Sequence, residues 1–154
     1  MTRKIPLREV KSLAGQELGV SDWHRVSQEE INLFAEATGD FTWFHIDVPR
    51  AEKEMGGTIA HGFLTLSLVP ALWHQIGEIT EFKSGYNYGL DKVRFTSPVK
   101  AGANVRLRAT MLPPQERRGG TIVGVQCVVE VEGEERPALV ADWMEIFYSE
   151  DKWQ

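Results

Sequence analysis

Residues 59–77 read IAHGFLTLSLVPALWHQIG, and this segment constrains the fold more than any other. It is long enough for a helix, yet Phe63, Leu64, Leu66, Leu68, Val69, Leu72 and Trp73 point in all directions and leave no polar face. A helix apolar all round is a buried helix. Its most apolar stretch, residues 63–73, is too short to span a bilayer, so the rest of the chain has to cover it. Pro70 lacks an N–H and predicts a kink or an early boundary, and Gly77 supplies a stop.

The second half of the chain has the period of a cover. Val105, Leu107, Ala109 and Met111 alternate with Arg106, Arg108 and Thr110, and Val123, Val125, Cys127, Val129 and Val131 alternate in the same way. Two more strands are expected near 86–95 and 138–148, with turn-like breaks at 97–102, 113–120 and 132–135. Short connections favour an antiparallel meander, and a short strand near 23–26 completes the sheet. Upstream, Ser27 and Glu30 have capping-box spacing, Ile31, Phe34, Ala35 and Thr38 repeat at helical steps, and Gly39 ends the helix. A loop is expected over 40–47, then a short helix opened by Pro49 and running to about Glu54, then a break at Gly56, Gly57 and Thr58. Helices grouped before strands make this α+β, a curved antiparallel sheet wrapped around one long helix. No G-x-G-x-x-G or phosphate-loop motif is present to suggest a nucleotide fold.

At 154 residues a single domain over 1–154 is expected. Seventeen Lys plus Arg against 22 Asp plus Glu give a net charge of −5, which argues against a nucleic-acid partner. Cys127 is the single cysteine, so no intrachain disulfide forms and a reducing compartment is the simple reading. The start, MTRKIPLREV, has no apolar stretch of a signal peptide. A cytoplasmic protein without a membrane partner is expected.

Residues with chemistry crowd into 38–63, TGDFTWFHIDVPRAEKEMGGTIAHGF. Asp40 and His45 lie on one short loop and can reach a single water. Imidazole exchanges protons near neutral pH, and a carboxylate can orient or share that task. The plainer alternative is that Asp40 caps the next turn and His45 is a satisfied polar residue. Gly62 opens the apolar helix, where backbone N–H groups lack helical partners and suit a carbonyl oxygen; its alternative role is close packing of sheet on helix. His61 and His74 are too far apart for a one-turn metal pair, and no H-E-x-x-H occurs. Ser67 is expected to bond back to its own helix, and Cys127 reads as core. Arg117 and Arg118 beside Gly119 and Gly120 read as a hairpin tip. Asp91, Lys92 and Arg94 fit either a polar strand face or the side of a ligand channel.

The run GDFTWFHID followed by GGTIAHGFLTLSL resembles the hydratase motif of the MaoC-like dehydratases, the (R)-specific enoyl-CoA hydratases. NYGLDKVRFTSPV, over 87–99, is similar to the branch that contains nodulation protein N, and the likeness extends over about residues 20–148. The resemblance implies a hot-dog fold, pairing as a homodimer, and a tunnel for the acyl thioester of CoA or a carrier protein. By motif position the family's catalytic aspartate falls on Asp40, its histidine on His45, and its backbone N–H donor to the thioester oxygen on Gly62. The implied reaction is syn hydration of a trans-2-enoyl thioester, with His45 mainly the base, Asp40 the proton donor or shuttle, and no metal or cofactor. Many members carry Asn-Pro between the two catalytic residues; Thr42 and Trp43 stand there here, and the indole is expected to narrow or reshape the acyl pocket. Two other functions share the fold. A hot-dog thioesterase needs a carboxylate beside the central helix, and no Asp or Glu occurs between Ala60 and Gly77. A non-catalytic acyl-thioester-binding subunit would be expected to lose Asp40 or His45, and this chain keeps both.

Overall fold

The computed structural model describes residues 2–149. Helix α1 (Gln28–Thr38) begins where the Ser27 hydroxyl accepts the Glu30 N–H at 3.1 Å. It ends at Gly39, whose φ of +80° closes the last turn. Only half of the expected capping box forms, because the Glu30 carboxylate turns to His24, accepting from Nε2 at 3.0 Å. The stretch expected as a loop over 40–47 contains a one-turn helix, α2 (Trp43–Ile46). Helix α3 (Val48–Met55) follows, with Asp47 as its cap and Pro49 in its first turn.

The segment expected as one long helix is divided into α4 (Gly62–Ser67) and α5 (Val69–Ile76) at Leu68. Leu68 keeps helical dihedrals (φ −74°, ψ −20°), and helical bonds from Leu68 N–H to Leu64 O and from Leu72 N–H to Leu68 O run across the junction. The break belongs to Pro70, which has no N–H to donate one turn back. Burial also departs from expectation. Leu64, Val69, Leu72, Trp73 and Ile76 are buried, but Phe63 is 69% exposed, so the helix pair keeps one apolar flank uncovered. The Ser67 hydroxyl donates to Phe63 O at 2.6 Å, as its position in the helix predicted.

Strands β1 (Arg3–Pro6) and β4 (Gly77–Thr80) form a small parallel pair. The main sheet contains β2 (Glu17–Val20), β3 (His24–Arg25), β5 (Ser84–Phe95), β6 (Asn104–Met111), β7 (Gln115–Arg117), β8 (Gly120–Val131) and β9 (Leu139–Tyr148). Its order is β2-β6-β8-β9-β5, all antiparallel, with β3 on β6 and β7 on β8. The meander therefore holds for β6, β8 and β9 only. β5 lies beside β9 at the far edge, and the connection to β6 runs along residues 58–60, ahead of α4, where Ala60 N–H donates to Val99 O and Ala101 N–H to Thr58 O.

The alternation read from the sequence places the core. Val105 faces Val131, Leu107 faces Val129, Ala109 faces Cys127 and Met111 faces Val125 across β6 and β8, all buried. Trp73 and Leu72 of α5 join the same core. Burial pushes the Cys127 thiol up to about 12, so it is packing rather than a nucleophile. Among the described residues no helix is long and apolar enough to cross a membrane.

Candidate active site

Residues 58–60 run extended between α2 and the crossing connection, held by Ile59 N–H to Phe44 O at 3.1 Å and Ala60 N–H to Val99 O at 2.7 Å. This strap fixes His45. The ring is buried, and Nδ1 lies 2.7 Å from Ile59 O. A carbonyl only accepts, so the proton of the neutral ring sits on Nδ1 and the lone pair on Nε2. Gln28 of α1 holds the same residue from behind: its Nε2 donates to His45 O at 2.8 Å, and its Oε1 accepts from the Thr58 hydroxyl. Burial pushes the His45 pKa below the ordinary histidine value, with the bond to Ile59 pulling the other way. The ring is therefore neutral, with a bare nitrogen, at physiological pH.

Asp40 follows the Gly39 stop and is exposed. Its Oδ1 accepts the Thr42 hydroxyl at 2.6 Å and the Thr42 N–H at 3.2 Å. The Thr42 hydroxyl and amide hold the carboxyl below the usual carboxylate range. Both bonds fall on one oxygen and leave Oδ2 for another donor.

Gly62 is the first residue of α4. The N–H groups of Leu64 and Thr65 both donate to His61 O, so the Gly62 N–H precedes the first helical bond. With six residues, α4 contributes little macrodipole, and the donor strength is that of the N–H itself. Gly62 and His45 share a cleft of about 450 Å³, lined also by Phe44, Thr65, Phe95 and Val99. A Cβ at Gly62 would meet the Phe95 ring at 3.0 Å, so glycine keeps this wall open.

The structure thus brings Asp40 and His45 together and places Gly62 on the same cleft as His45. It adds His61, weighed in the sequence only against His74. Asp40, His45 and His61 each offer a polar side-chain atom within 4.8 Å of the others. Thr42 and Gln28 are further contributors that residue type alone did not mark. One expectation fails. Trp43 does not line the cleft, because Arg50 of α3 lies over its ring at 4.0 Å; the neighbouring Phe44 lines it instead. Asp91, Lys92 and Arg94 do not line it either, and Lys92 pairs with Asp142 at 3.3 Å.

A carboxylate oxygen and an imidazole lone pair converging on one point can hold a water by its hydrogens and accept a proton from it. An amide N–H on the same cleft can polarise a carbonyl. Residues 9–133 match the family described as MaoC like domain. The chain belongs to the MaoC-like dehydratase family. Among its relatives, nodulation protein N of Rhizobium leguminosarum bv. viciae is 48% identical over 147 residues, 93% of this chain and 91% of that one. The 3-hydroxyacyl-thioester dehydratase Z of Mycobacterium tuberculosis is 46% identical over 136 residues, 87% of this chain and 90% of that one. An unliganded (R)-hydratase from Pseudomonas aeruginosa superposes with a TM-score of 0.71 at 21% identity, covering 89% of this chain and 83% of that one. At that identity the superposition speaks for the fold, which is the hot-dog fold of this family.

Proposed function

We propose that this MaoC-like protein is a hydro-lyase that adds water to a trans-2-enoyl thioester of CoA or an acyl carrier, giving the (R)-3-hydroxyacyl thioester, and catalyses the reverse dehydration. Asp40 and His45 are its catalytic side chains and the Gly62 N–H its oxyanion donor. The observation that carries the reading is a buried imidazole on the wall of an apolar cleft, its Nδ1 held by Ile59 O, with the ionised carboxylate of Asp40 within 4.8 Å of a ring nitrogen. A relative 46% identical bears the name of a 3-hydroxyacyl-thioester dehydratase, which supports the same chemistry.

In the hydration direction Asp40 and His45 Nε2 each accept one hydrogen of the bound water. As its oxygen attacks C3, an O–H bond breaks and the proton passes to Nε2. The C2=C3 electrons move toward the thioester oxygen, where the Gly62 N–H stabilises the enolate. That proton then passes to C2, and the ring is neutral again. Asp40 starts ionised, so any proton it delivers is one it has first received from the water. This narrows its sequence-based role to acceptor and shuttle. Thr42 is expected to matter here as well. Thr42→Val, which removes the hydroxyl on Asp40 Oδ1, should lower kcat between about 2- and 10-fold, well short of losing a catalytic group. Thr42→Ser should restore it, and equal rates in the three proteins would exclude the contact from catalysis.

The reading includes a homodimer acting in the cytoplasm. β5 is a 12-residue edge strand whose outer side pairs with nothing among the described residues. Tyr86, Tyr88, Leu90 and Phe95 on it are all exposed, and a long apolar edge of this kind calls for cover. Light scattering should report about 35 kDa, twice the 17.4 kDa chain, and a clean monomer would count against the pairing.

The deciding experiment follows loss of the enoyl-thioester ultraviolet absorbance with crotonyl-CoA and longer homologues, with chiral analysis of the product. Turnover to the (R)-alcohol supports the reading, and the chain-length profile measures the acyl pocket. Release of free thiol instead would make the protein a thioesterase. Glu145, a half-buried carboxyl pushed up by burial, does lie beside α5 in a pocket with Trp73 and His74, but it does not line the cleft of His45 and Gly62, which weighs against a thioesterase at that cleft. Silence on both counts would leave an acyl-thioester-binding subunit.

A further inference from the structure

His61 is buried, sits at the active site, and has no part in the reaction just described. Its ring makes three well-defined contacts. Nε2–H donates to the main-chain O of Asp40 at 2.9 Å, 21 residues away in sequence. The ring face lies on that of His45 at 3.8 Å between centroids, tilted by 22°. Phe34 of α1 backs it at 4.9 Å. Its own carbonyl accepts the first two bonds of α4, and the next residue is Gly62.

Residue types alone would suggest a metal site, since Asp40, His45 and His61 lie within reach of one cation. The geometry argues otherwise. His61 Nε2 carries a proton for the Asp40 carbonyl, so it has no lone pair to offer. Nδ1 is enclosed by protein without a partner.

The unpartnered Nδ1 is informative in another way. A buried polar atom without a hydrogen bond is a cost that native structures rarely keep without a reason. A phenyl ring would fill the same space and stack on His45 without that cost. What it would lose is the N–H bond to Asp40. The Asp40 side-chain bonds go to Thr42, whose O accepts the His45 N–H at 2.9 Å; these links stay within one loop, and His61 adds one from outside it.

We propose that His61 is a positioning residue that clamps the Asp40 loop against the His45 ring and so keeps carboxylate and imidazole aimed at one water. This deepens the hydratase reading and rests on it for the identity of the water. The clamp also ties the two acceptors to the start of α4, so a single ring sets the relative placement of Asp40, His45 and Gly62.

Two variants test it, each followed by turnover, melting temperature and amide hydrogen exchange. His61→Phe keeps the stacked ring and loses the donor. His61→Gln loses the ring and keeps an amide N–H that can reach Asp40 O. His61→Phe is expected to lower kcat by about 10- to 100-fold, the scale of a misplacement near 1 Å, with KM little changed. Exchange of the Thr42 and His45 amides, which are bonded within this loop, should quicken by about tenfold in the same variant, and His61→Gln should lie closer to wild type in both respects. Unchanged exchange at Thr42 and His45 in His61→Phe would overturn the clamp, whatever happens to the melting temperature. So would wild-type kcat in that variant. Should the wild-type protein turn over no enoyl thioester, the hydratase reading falls while the exchange data still decide the clamp. Tight binding of Zn²⁺ by the wild-type protein, lost in His61→Phe, would also overturn it by showing that His61 is free to act as a ligand.

Discussion

His45→Asn is expected to lower kcat by about 10²- to 10⁴-fold, the usual contribution of a general acid–base group, with a smaller loss of melting temperature than His45→Gln. The reason is which nitrogen each substitute can replace. The Asn amide N–H occupies the place of Nδ1 and can go on donating to Ile59 O, a bond of 2.7 Å in the native protein. Nothing replaces Nε2, the atom that takes the proton in the proposed mechanism. His45→Gln has the opposite defect: its amide extends toward Nε2 and leaves Ile59 O unpaired. That variant should also lose roughly 1 kcal/mol of stability, about 2–4 °C for a chain of this size. The acid limb of kcat/KM in wild type supplies the second readout. In the proposed mechanism neutral His45 is the active form, and burial disfavours its charged form. The ring therefore stays active to a lower pH than a free histidine, and the limb lies below 6.5. A limb above 6.5, or a His45→Asn protein with wild-type rate, would remove His45 from the base role.

Where periodicity and chemistry agree, the sequence was a good guide. The alternation from Val105 to Met111 and from Val123 to Val131 shows which side of β6 and β8 meets the helices, because a one-residue slip would turn every one of those side chains to solvent. Ser27 and Gly39 bound α1 as their backbone preferences require. The misses have physical causes. Strand order was not legible, since nothing local tells β5 to sit beside β9; that pairing goes with a connection that runs along residues 58–60 before β6 begins. The apolar segment looked buried on every side because hydropathy does not distinguish a core face from a flank such as Phe63, 69% exposed. Its division at Leu68 was half legible, as Pro70 marked the place but not the continuation of helical bonds through it.

The candidate site shows the same split. Asp40 and His45 were legible because they share a loop, and Gly62 because a glycine opens an apolar helix. His61 was not, because its partners lie 21 and 16 residues away, and only the strap over 58–60 folds it onto them. Thr42 looked like a mere replacement in a familiar motif. In three dimensions its hydroxyl and amide supply both bonds to Asp40 Oδ1. Trp43 was misjudged for the complementary reason: a bulky ring next to a catalytic residue suggests a pocket wall, but on a one-turn helix it points to the neighbouring Arg50.

Asp40→Asn is expected to cost about 10²- to 10⁴-fold in kcat as well, and it is the cleaner of the two tests because the side chain is exposed and the melting temperature should not move. Asn keeps an oxygen that accepts from the Thr42 hydroxyl and amide, so the turn into α2 persists. It loses the negative charge and with it the ability to take a proton from water. The residual activity carries a sign that distinguishes the two residues. Asp40 favours the charged form of His45, so removing its charge lets the imidazole lose its proton at still lower pH. The acid limb of the Asp40→Asn protein should therefore lie below that of wild type. The Thr42 hydroxyl and amide hold the Asp40 carboxyl below the usual carboxylate range, which moves its own titration away from neutral pH. A limb that stayed in place would mean the two groups do not sense each other in solution. Wild-type turnover in this variant would mean that the water is activated by His45 alone, and the shared-water arrangement would have to be abandoned.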